Sequence, residues 1–457
     1  MRIGLDFGTT NSSAALYHDD KLTVFTSPAT EIDGILPSLI YITRDHEVVL
    51  GKAAARRYLR DDTGRPAVWE TRHAGIIEYW VSIDMPSMLG GRTEPVLIRQ
   101  DVFVQEDINA SGRLLQAIKT ALRNPAYAGT AVFDKTYTIE DLIALLLREL
   151  RTAATARVGK PVDAVLLGRP VTFNDSQRDD ARAEAILRAA AHAAGFSDVQ
   201  FMLEPIAAAY SYHVRLPERH TALVFDFGGG TLDLTLAEIG GQARPVVLAT
   251  HGLLLGGDDF DRRIMEKFLW KSFGYDKPYE NGYRLSYEIY DYLLDWSRHP
   301  DMTRLDAYTQ VRRAALVTKA GPEFTALLSL VENKHGFALF EAIEESKIAL
   351  SSQEETTLQF QAEGIAIHKH LTRQRFARSI QDMCARIEET IGAVLEEADL
   401  AAADVDLVLC TGGSSAVPAV QAVLAARFGS RKLRRHDPFL SVSSGLAIAA
   451  TMQDVHA

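Results

Sequence analysis

A chain of 457 residues, 47% of them apolar and with a net charge of −11, can bury cores for two to four domains and lacks the accumulated positive charge of a nucleic-acid-binding surface. No run approaches membrane-spanning length, and the apolar stretch at its start is too short for a secretion signal. Only two cysteines occur, Cys384 in a helical pattern and Cys410 in an apolar strand, which excludes a disulfide framework and leads to the expectation of a reducing, cytoplasmic setting.

The first fifty residues read as a meander of short strands, Arg2–Phe7, Ser13–His18, Leu22–Phe25 and Leu36–Thr43, building one sheet. The first strand ends in Asp6 and runs into Gly8, Thr9, Thr10 and Asn11, residue types that let a tight turn bring backbone amides up to a ligand. Thr138, with Glu140 and Asp141 behind it, signals the start of a helix to about Val158. A strand at Val162–Gly168, a helix at Asp175–Ala194, a strand at Val199–Leu203 and a helix at Pro205–His213 follow, the alternation of a covered sheet.

Strands return at Ala222–Asp226, Leu232–Glu238 and Val246–His251, so the chain is an internal duplication of topology. Again an apolar strand ends in an aspartate, Asp226, and Gly228, Gly229, Gly230 and Thr231 follow. One Asp-x-Gly is a weak signal. Two in matching context describe facing phosphate loops, each offering one carboxylate and a set of N–H donors to a polyphosphate with its Mg²⁺.

Gly256–Asp261 opens another helix, and residues 276–336 read as helical, with Tyr279, Tyr283, Tyr287, Tyr290, Tyr292 and Trp296 as a local core or a partner surface. Next come a helix at Phe337–Leu350, a hairpin of Thr356–Phe360 with Gly364–His370, and one long helix from Thr372 to Ala398. Strand Asp406–Cys410 and helices Val417–Phe428 and Ser441–Met452 complete the chain. The basic run of Arg427, Arg431, Lys432, Arg434 and Arg435 reads as a solvated edge, and His368 with His370 lacks a further metal ligand nearby.

These loops, with Thr411-Gly412-Gly413-Ser414-Ser415, resemble the actin, sugar kinase and heat-shock ATPase superfamily. The segments Val171–Arg178, Glu204–Ala209, Leu255–Asp261, Glu344–Ser351 and Leu371–Phe376 are similar to the DnaK-type, seventy-kilodalton heat-shock chaperone family, and the resemblance covers 1–50, 138–275 and 337–452. It implies an α/β, actin-like ATPase fold in which duplicated ribonuclease-H-like domains form two lobes around a nucleotide cleft. Lobe I would take 1–218 plus 437–457, and lobe II 219–436 with an insert at about 276–336.

By the same resemblance, Gly8, Thr9, Thr10 and Asn11 would hold phosphates of ATP or ADP from one lobe, and Gly228, Gly229, Gly230 and Thr231 from the other. Asp6 and Asp226 would hold Mg²⁺ through water, Glu204 would orient the attacking water, and the catalytic set would be Asp6, Glu204, Asp226 and Thr231. Glu344, Lys347, Ser351, Gly412, Gly413 and Ser414 would line the adenosine pocket, and Pro170 with Arg178 would couple the site to domain motion. Each role has a plain rival: Glu204 as a helix-capping carboxylate, Lys347 as a surface lysine, Arg178 as a solvated one.

Departures from the family pattern shape the expected function. The family's first-lobe lysine is missing from its expected place at Val81–Gly90, with Arg72 and Arg92 nearby, so hydrolysis should be slow. Ala416 and Ile348 stand where relatives carry arginine, and Phe439 where an acidic residue is common. Without a linker or peptide-binding domain behind Ala450, the chain resembles the short, YegD-like relatives that consist of the nucleotide-binding domain. The expected function is an ATP-binding, chaperone-family protein, a slow ATPase whose conformation is read by a protein partner or co-chaperone, with neither nucleic acid nor membrane as partner. The alternatives are a non-hydrolysing nucleotide sensor or scaffold, and a small-metabolite kinase of the same superfamily.

Overall fold

The computed structural model describes residues 1–30, 33–65, 68–85, 92–124, 127, 129–173, 176–279, 282–302, 306–316, 321–435 and 440–454. Its frame is one sheet built twice. In the first sheet Lys21–Val24, Asn11–His18 and Arg2–Phe7 run antiparallel to their neighbours, and Ala164–Arg169 and Asp198–Leu203 continue parallel to Arg2–Phe7. In the second, Val246–Leu253, Leu232–Ile239 and His220–Phe227 are the antiparallel set, and Leu407–Thr411 and Leu433–Arg435 the parallel pair. The central strands are buried along almost their whole length, Ile3, Leu5 and Phe7 in one and Ala222 to Phe225 in the other, as strands covered on both faces must be.

Helices Ile139–Val158 and Gln177–Ala193 pack into one apolar cluster with the first sheet. The first is started by a reciprocal capping box between Thr138 and Asp141. Helices Gln381–Glu397 and Pro418–Phe428 share the second sheet's cluster. A third cluster lies between the sheets, where helices Glu204–His213 and Ser441–Asp454 meet. Glycine is required at that crossing: a Cβ on Gly445 would stand 1.6 Å from the Ala207 carbonyl oxygen.

The opening residues do not make a single sheet. The expected strand Leu36–Thr43 divides at Ser38: Leu36–Pro37 pairs with Asn11 and Ser12, whereas Ile40–Thr43 joins a separate sheet with Val48–Leu50 and Gly112–Leu115. Ser38 causes the break by turning inward, its N–H on the Thr10 carbonyl and its hydroxyl on that of Gly8. The expected long helix Thr372–Ala398 also divides, at Ile380, into Arg373–Ser379 and Gln381–Glu397. There the Arg263 guanidinium takes the Ser379 carbonyl at 2.6 Å, in competition with the helix ladder.

The 276–336 segment is helical, with Tyr287–Tyr292, His299–Met302, Asp306–Leu316 and Pro322–Glu332. Tyr290 is buried against Trp270 and Tyr275, but Tyr283 and Tyr287 are 67% and 59% exposed. The element least anticipated is a ribbon of Trp69–Met85 paired antiparallel with Arg92–Asp107, bulged between His73 and Gly75. At about 3.3 Å per residue it is roughly 50 Å long, and among the described residues it pairs with no other strand. Cys384 and Cys410 are free thiols, the latter buried.

Candidate functional site

The two Asp-ended hairpins meet head-on. A Cβ on Gly229 would lie 2.3 Å from Thr10 Oγ1, and one on Gly230 3.0 Å from Thr9 Oγ1, so the loops approach within the width of a side chain. Each loop is tied from behind by its backbone carbonyls. Gly8 O accepts from the Ser38 hydroxyl, and Gly228 O accepts from Ser414 Oγ and the Gly257 N–H. The free faces of Gly8, Thr9, Thr10 and Asn11 and of Gly228, Gly229, Gly230 and Thr231 open into a cleft of about 420 Å³.

The same cleft gathers the other candidate nucleotide-site residues. Asp6 and Asp226 stand at the ends of the central strands, and Glu204 begins the helix it was expected to open. Glu344, Lys347 and Ser351 lie on one face of Gly336–Ser352, and Gly412, Gly413 and Ser414 follow strand Leu407–Thr411. Ile348 and Ala416 also line it, Ile348 being 61% exposed. Phe439 lies outside the described residues. Arg178 is exposed on the surface, and Arg169 instead lies by Pro170, bound to its carbonyl and paired with Asp180 and Glu184.

A lysine does face the first side of the cleft, contrary to the sequence expectation. Lys119, on the single turn Ile118–Ala121, places Nζ 2.6 Å from Glu204 Oε1, with both side chains 9% exposed. The ribbon, which precedes Lys119 in the chain, takes up the stretch in which the sequence places the family's lysine. Residues 81–85 are a ribbon strand, and Arg72 and Arg92 are paired in its ladder with Val104 and Met85. The apolar spacing of Leu114, Leu115, Ile118 and Leu122 around Lys119 was the available signal.

Charge at this end of the cleft is lopsided. Asp6, Asp226, Asp233 and Glu204 converge on Lys119, and Asp233 also accepts the Val171 N–H. Burial and then the neighbouring Glu204 push Asp6 up to about 7 and Asp233 to about 6, and raise Asp226 well above the usual carboxylate range. Burial would depress Lys119, but Glu204 and Asp6 outweigh it and hold the ammonium charged. The Arg123 guanidinium, on the Gly230 carbonyl at 3.1 Å, also lies within electrostatic reach of Asp233, but four carboxylates in one place remain a donor set that suits a hard divalent ion. Among the described residues no three acidic, histidine or cysteine side chains are grouped to ligate a metal.

The opposite wall has its own buried pair. Lys347 Nζ donates to Asp261 Oδ2 at 2.7 Å and to the Gly257 carbonyl at 3.2 Å, so this lysine is no surface residue. Burial lifts Asp261 to about 7 and Asp258 to about 6, with Lys347 opposing both shifts.

With this geometry in view, comparison with known proteins is decisive for the family. A family model described as Hsp70 protein matches residues 99–281 and 330–455. The chain belongs to the Hsp70 family. Its duplicated sheets are accordingly the actin-like ATPase fold of Hsp70 proteins. It is 28% identical to a chaperone protein DnaK of Thermus thermophilus over 98% of its own length, and 26% identical to those of Gracilaria tenuistipitata and Emiliania huxleyi. The chain spans about 60% of the length of these DnaK proteins. The Hsp70 match leaves out residues 282–329, and starts only within the second strand of the ribbon.

Proposed function

We propose that this protein binds ATP and ADP with Mg²⁺ in the cleft and hydrolyses ATP slowly, as a nucleotide-driven conformational switch. The observation that carries the reading is the convergence of two phosphate-loop hairpins on the buried Lys119–Glu204 pair. Lobe I would comprise 1–218 plus 437–457 and lobe II 219–436, with the helical insert at about 276–336. Backbone N–H groups of both loops would grip the phosphates, those beyond Gly228 in the second loop, since the Gly228 N–H already donates to the Thr231 carbonyl. Asp6 and Asp226 would hold Mg²⁺ through water; when bound, the ion neutralises charge between the phosphates.

Within that frame Lys119 does two things. It fixes the Glu204 carboxylate, leaving Oε2 to orient a water, and it presents a positive charge where negative charge grows during phosphoryl transfer. Thr231 would add a hydroxyl beside the same phosphate. Glu344, Lys347, Ser351 and Gly412–Ser414 would receive the adenosine, with Ile348 and Ala416 giving the base apolar cover in place of arginine stacking. A protein partner or co-chaperone in the cytoplasm would read the lobe arrangement.

The presence of Lys119 weighs against a purely non-hydrolysing sensor, because such a protein has no use for a buried cation beside a carboxylate at this end of the cleft. Single-turnover hydrolysis of γ-labelled ATP with Mg²⁺, beside equilibrium binding of ATP and ADP, tests the proposal. Binding with slow phosphate release and no added acceptor is expected. Tight binding without release over hours overturns the hydrolytic part, release only with an added metabolite points to a kinase, and no nucleotide uptake overturns the whole.

A further inference from the structure

The phosphate loops occupy one end of the cleft, so a nucleoside attached to phosphates gripped there has the remaining wall to rest on. That wall has two sides. One is the face of helix Gly336–Ser352 that carries Glu344, Lys347, Ile348 and Ser351, spaced as a single stripe. The other is the turn Gly413–Ala416, with Gly412 before it and Val417 behind it. The floor between the halves, at the crossing of the inner helices, adds Val442.

What this wall can recognise depends on which of its polar groups are still available. In the turn, the Gly412 carbonyl accepts from both the N–H and the hydroxyl of Ser415, and the Ser414 carbonyl accepts the Val417 N–H. The Ser415 carbonyl accepts the Gln421 side-chain amide at 2.6 Å, and the Val417 carbonyl accepts the Gln421 N–H. The Ser414 hydroxyl is given to Gly228 O at 2.9 Å. On the helix, Lys347 directs two of its three protons to Asp261 and the Gly257 carbonyl. The third can serve only an acceptor, and the ring nitrogens N3 and N7 that accept are common to adenine and guanine.

Telling those two bases apart requires groups of fixed sense. Adenine calls for an acceptor at its amino group and a donor at N1; guanine calls for a donor at O6 and an acceptor at N1–H. The Ser351 hydroxyl has no fixed sense, because it rotates to donate or to accept. Its own bond, to the Lys347 carbonyl at 3.4 Å, is long and easily exchanged. Glu344 is exposed, so a hydrogen bond from a base would replace one from water with little net gain. Ile348, Ala416 and Val417 supply apolar cover. A slot of that kind discriminates poorly between flat rings of equal size.

We infer that the cleft is blind to the purine base: it holds a guanine nucleotide as readily as an adenine one and selects its ligand by the phosphates. The inference rests on the nucleotide-binding reading given above, and it widens the ligand class from adenine nucleotides to purine nucleotides.

The test is displacement of ADP carrying a ribose fluorophore from the whole protein by ADP, GDP or inosine diphosphate, with Mg²⁺ present. Affinities within about tenfold of one another are expected, against the rejection of about ten-thousandfold or more that a site built to hydrogen-bond its ligand can reach. A preference for ADP over GDP of more than about tenfold overturns the inference. Ser351→Ala separates the two roles open to that hydroxyl. It is expected to weaken ADP and GDP by the same factor, within about threefold; a loss confined to ADP makes Ser351 a reader of adenine and overturns the inference as well. If the protein takes up neither the fluorescent nor the unlabelled ADP, the failure is of the nucleotide reading itself, and the base-blind site falls with it.

Discussion

The two halves of the molecule repeat one sheet and one Asp-ended hairpin, yet the lysines they send into the cleft differ in kind. Both are about nine-tenths buried and both hold a carboxylate at 2.6–2.7 Å. Lys347 is anchored by its own half, to Asp261 and the Gly257 carbonyl, and stands well inside a 17-residue helix. Lys119 sits on one helical turn entered through Ala117 at φ 51°, and its carboxylate neighbours come from strand ends of both halves. Equal burial and equal pairing therefore do not mean equal work. Lys347 stiffens a wall, and Lys119 faces the place where charge would move.

Substituting both lysines offers the sharpest way to break that contrast. Lys119→Met is expected to slow single-turnover hydrolysis by about a hundred- to a thousand-fold, with ADP affinity changed only a few-fold. Lys347→Met is expected to do the reverse, weakening ADP binding by about ten- to a hundredfold in calorimetry with a near-normal rate at saturation. Matching losses of rate in the two variants would abolish the distinction.

The floor between the halves should be less forgiving than the outer helices. Gly445→Ala is expected to cost about 1–3 kcal/mol or more in urea unfolding, because the added methyl meets the Ala207 backbone. A further contrast is the insert possessed by the second half alone. His299 there is 3% exposed, and burial lowers its pKa to about 4. Above pH 6.5 it is neutral folded or unfolded and has no effect. Between 6.5 and about 4 only the unfolded chain takes up the proton, so stability falls with pH, by about 1 kcal/mol at pH 5.5, and His299→Leu should flatten that slope. The smallest effect is a gain: Gly392→Ala, in Gln381–Glu397 with nothing within 4 Å of the new methyl, should add about 0.5–1 kcal/mol.

Sequence was informative wherever local chemistry dictates geometry. The capping box at Thr138 and Asp141, the apolar strand runs and the two Asp-ended turns are decided within a few residues, and the cleft follows from pairing them. It was blind where long-range contacts decide. The break at Ile380 depends on Arg263, more than a hundred residues earlier, and the split at Ser38 on carbonyls of the first loop. Lys119 was hidden by counting along the chain: the ribbon lengthens the path without moving the destination. Asp233, at the end of the second loop's segment, takes no role from the sequence, because what brings it opposite Asp226 is strand register.

The bare contact of the inner helices has a mechanical meaning. No side chain stands between the Gly445 and Ala207 backbones, and Gly4 of the first strand is pressed almost as closely on the Ala447 nitrogen, so helix Ser441–Asp454 has backbone against it on two sides with no room for a methyl group. A joint packed that closely resists displacement along its own length, which makes rotation about the point of touch the cheaper movement. An opening of the cleft would then swing like a jaw, with little displacement near Glu204 and the widest excursion at the far rim.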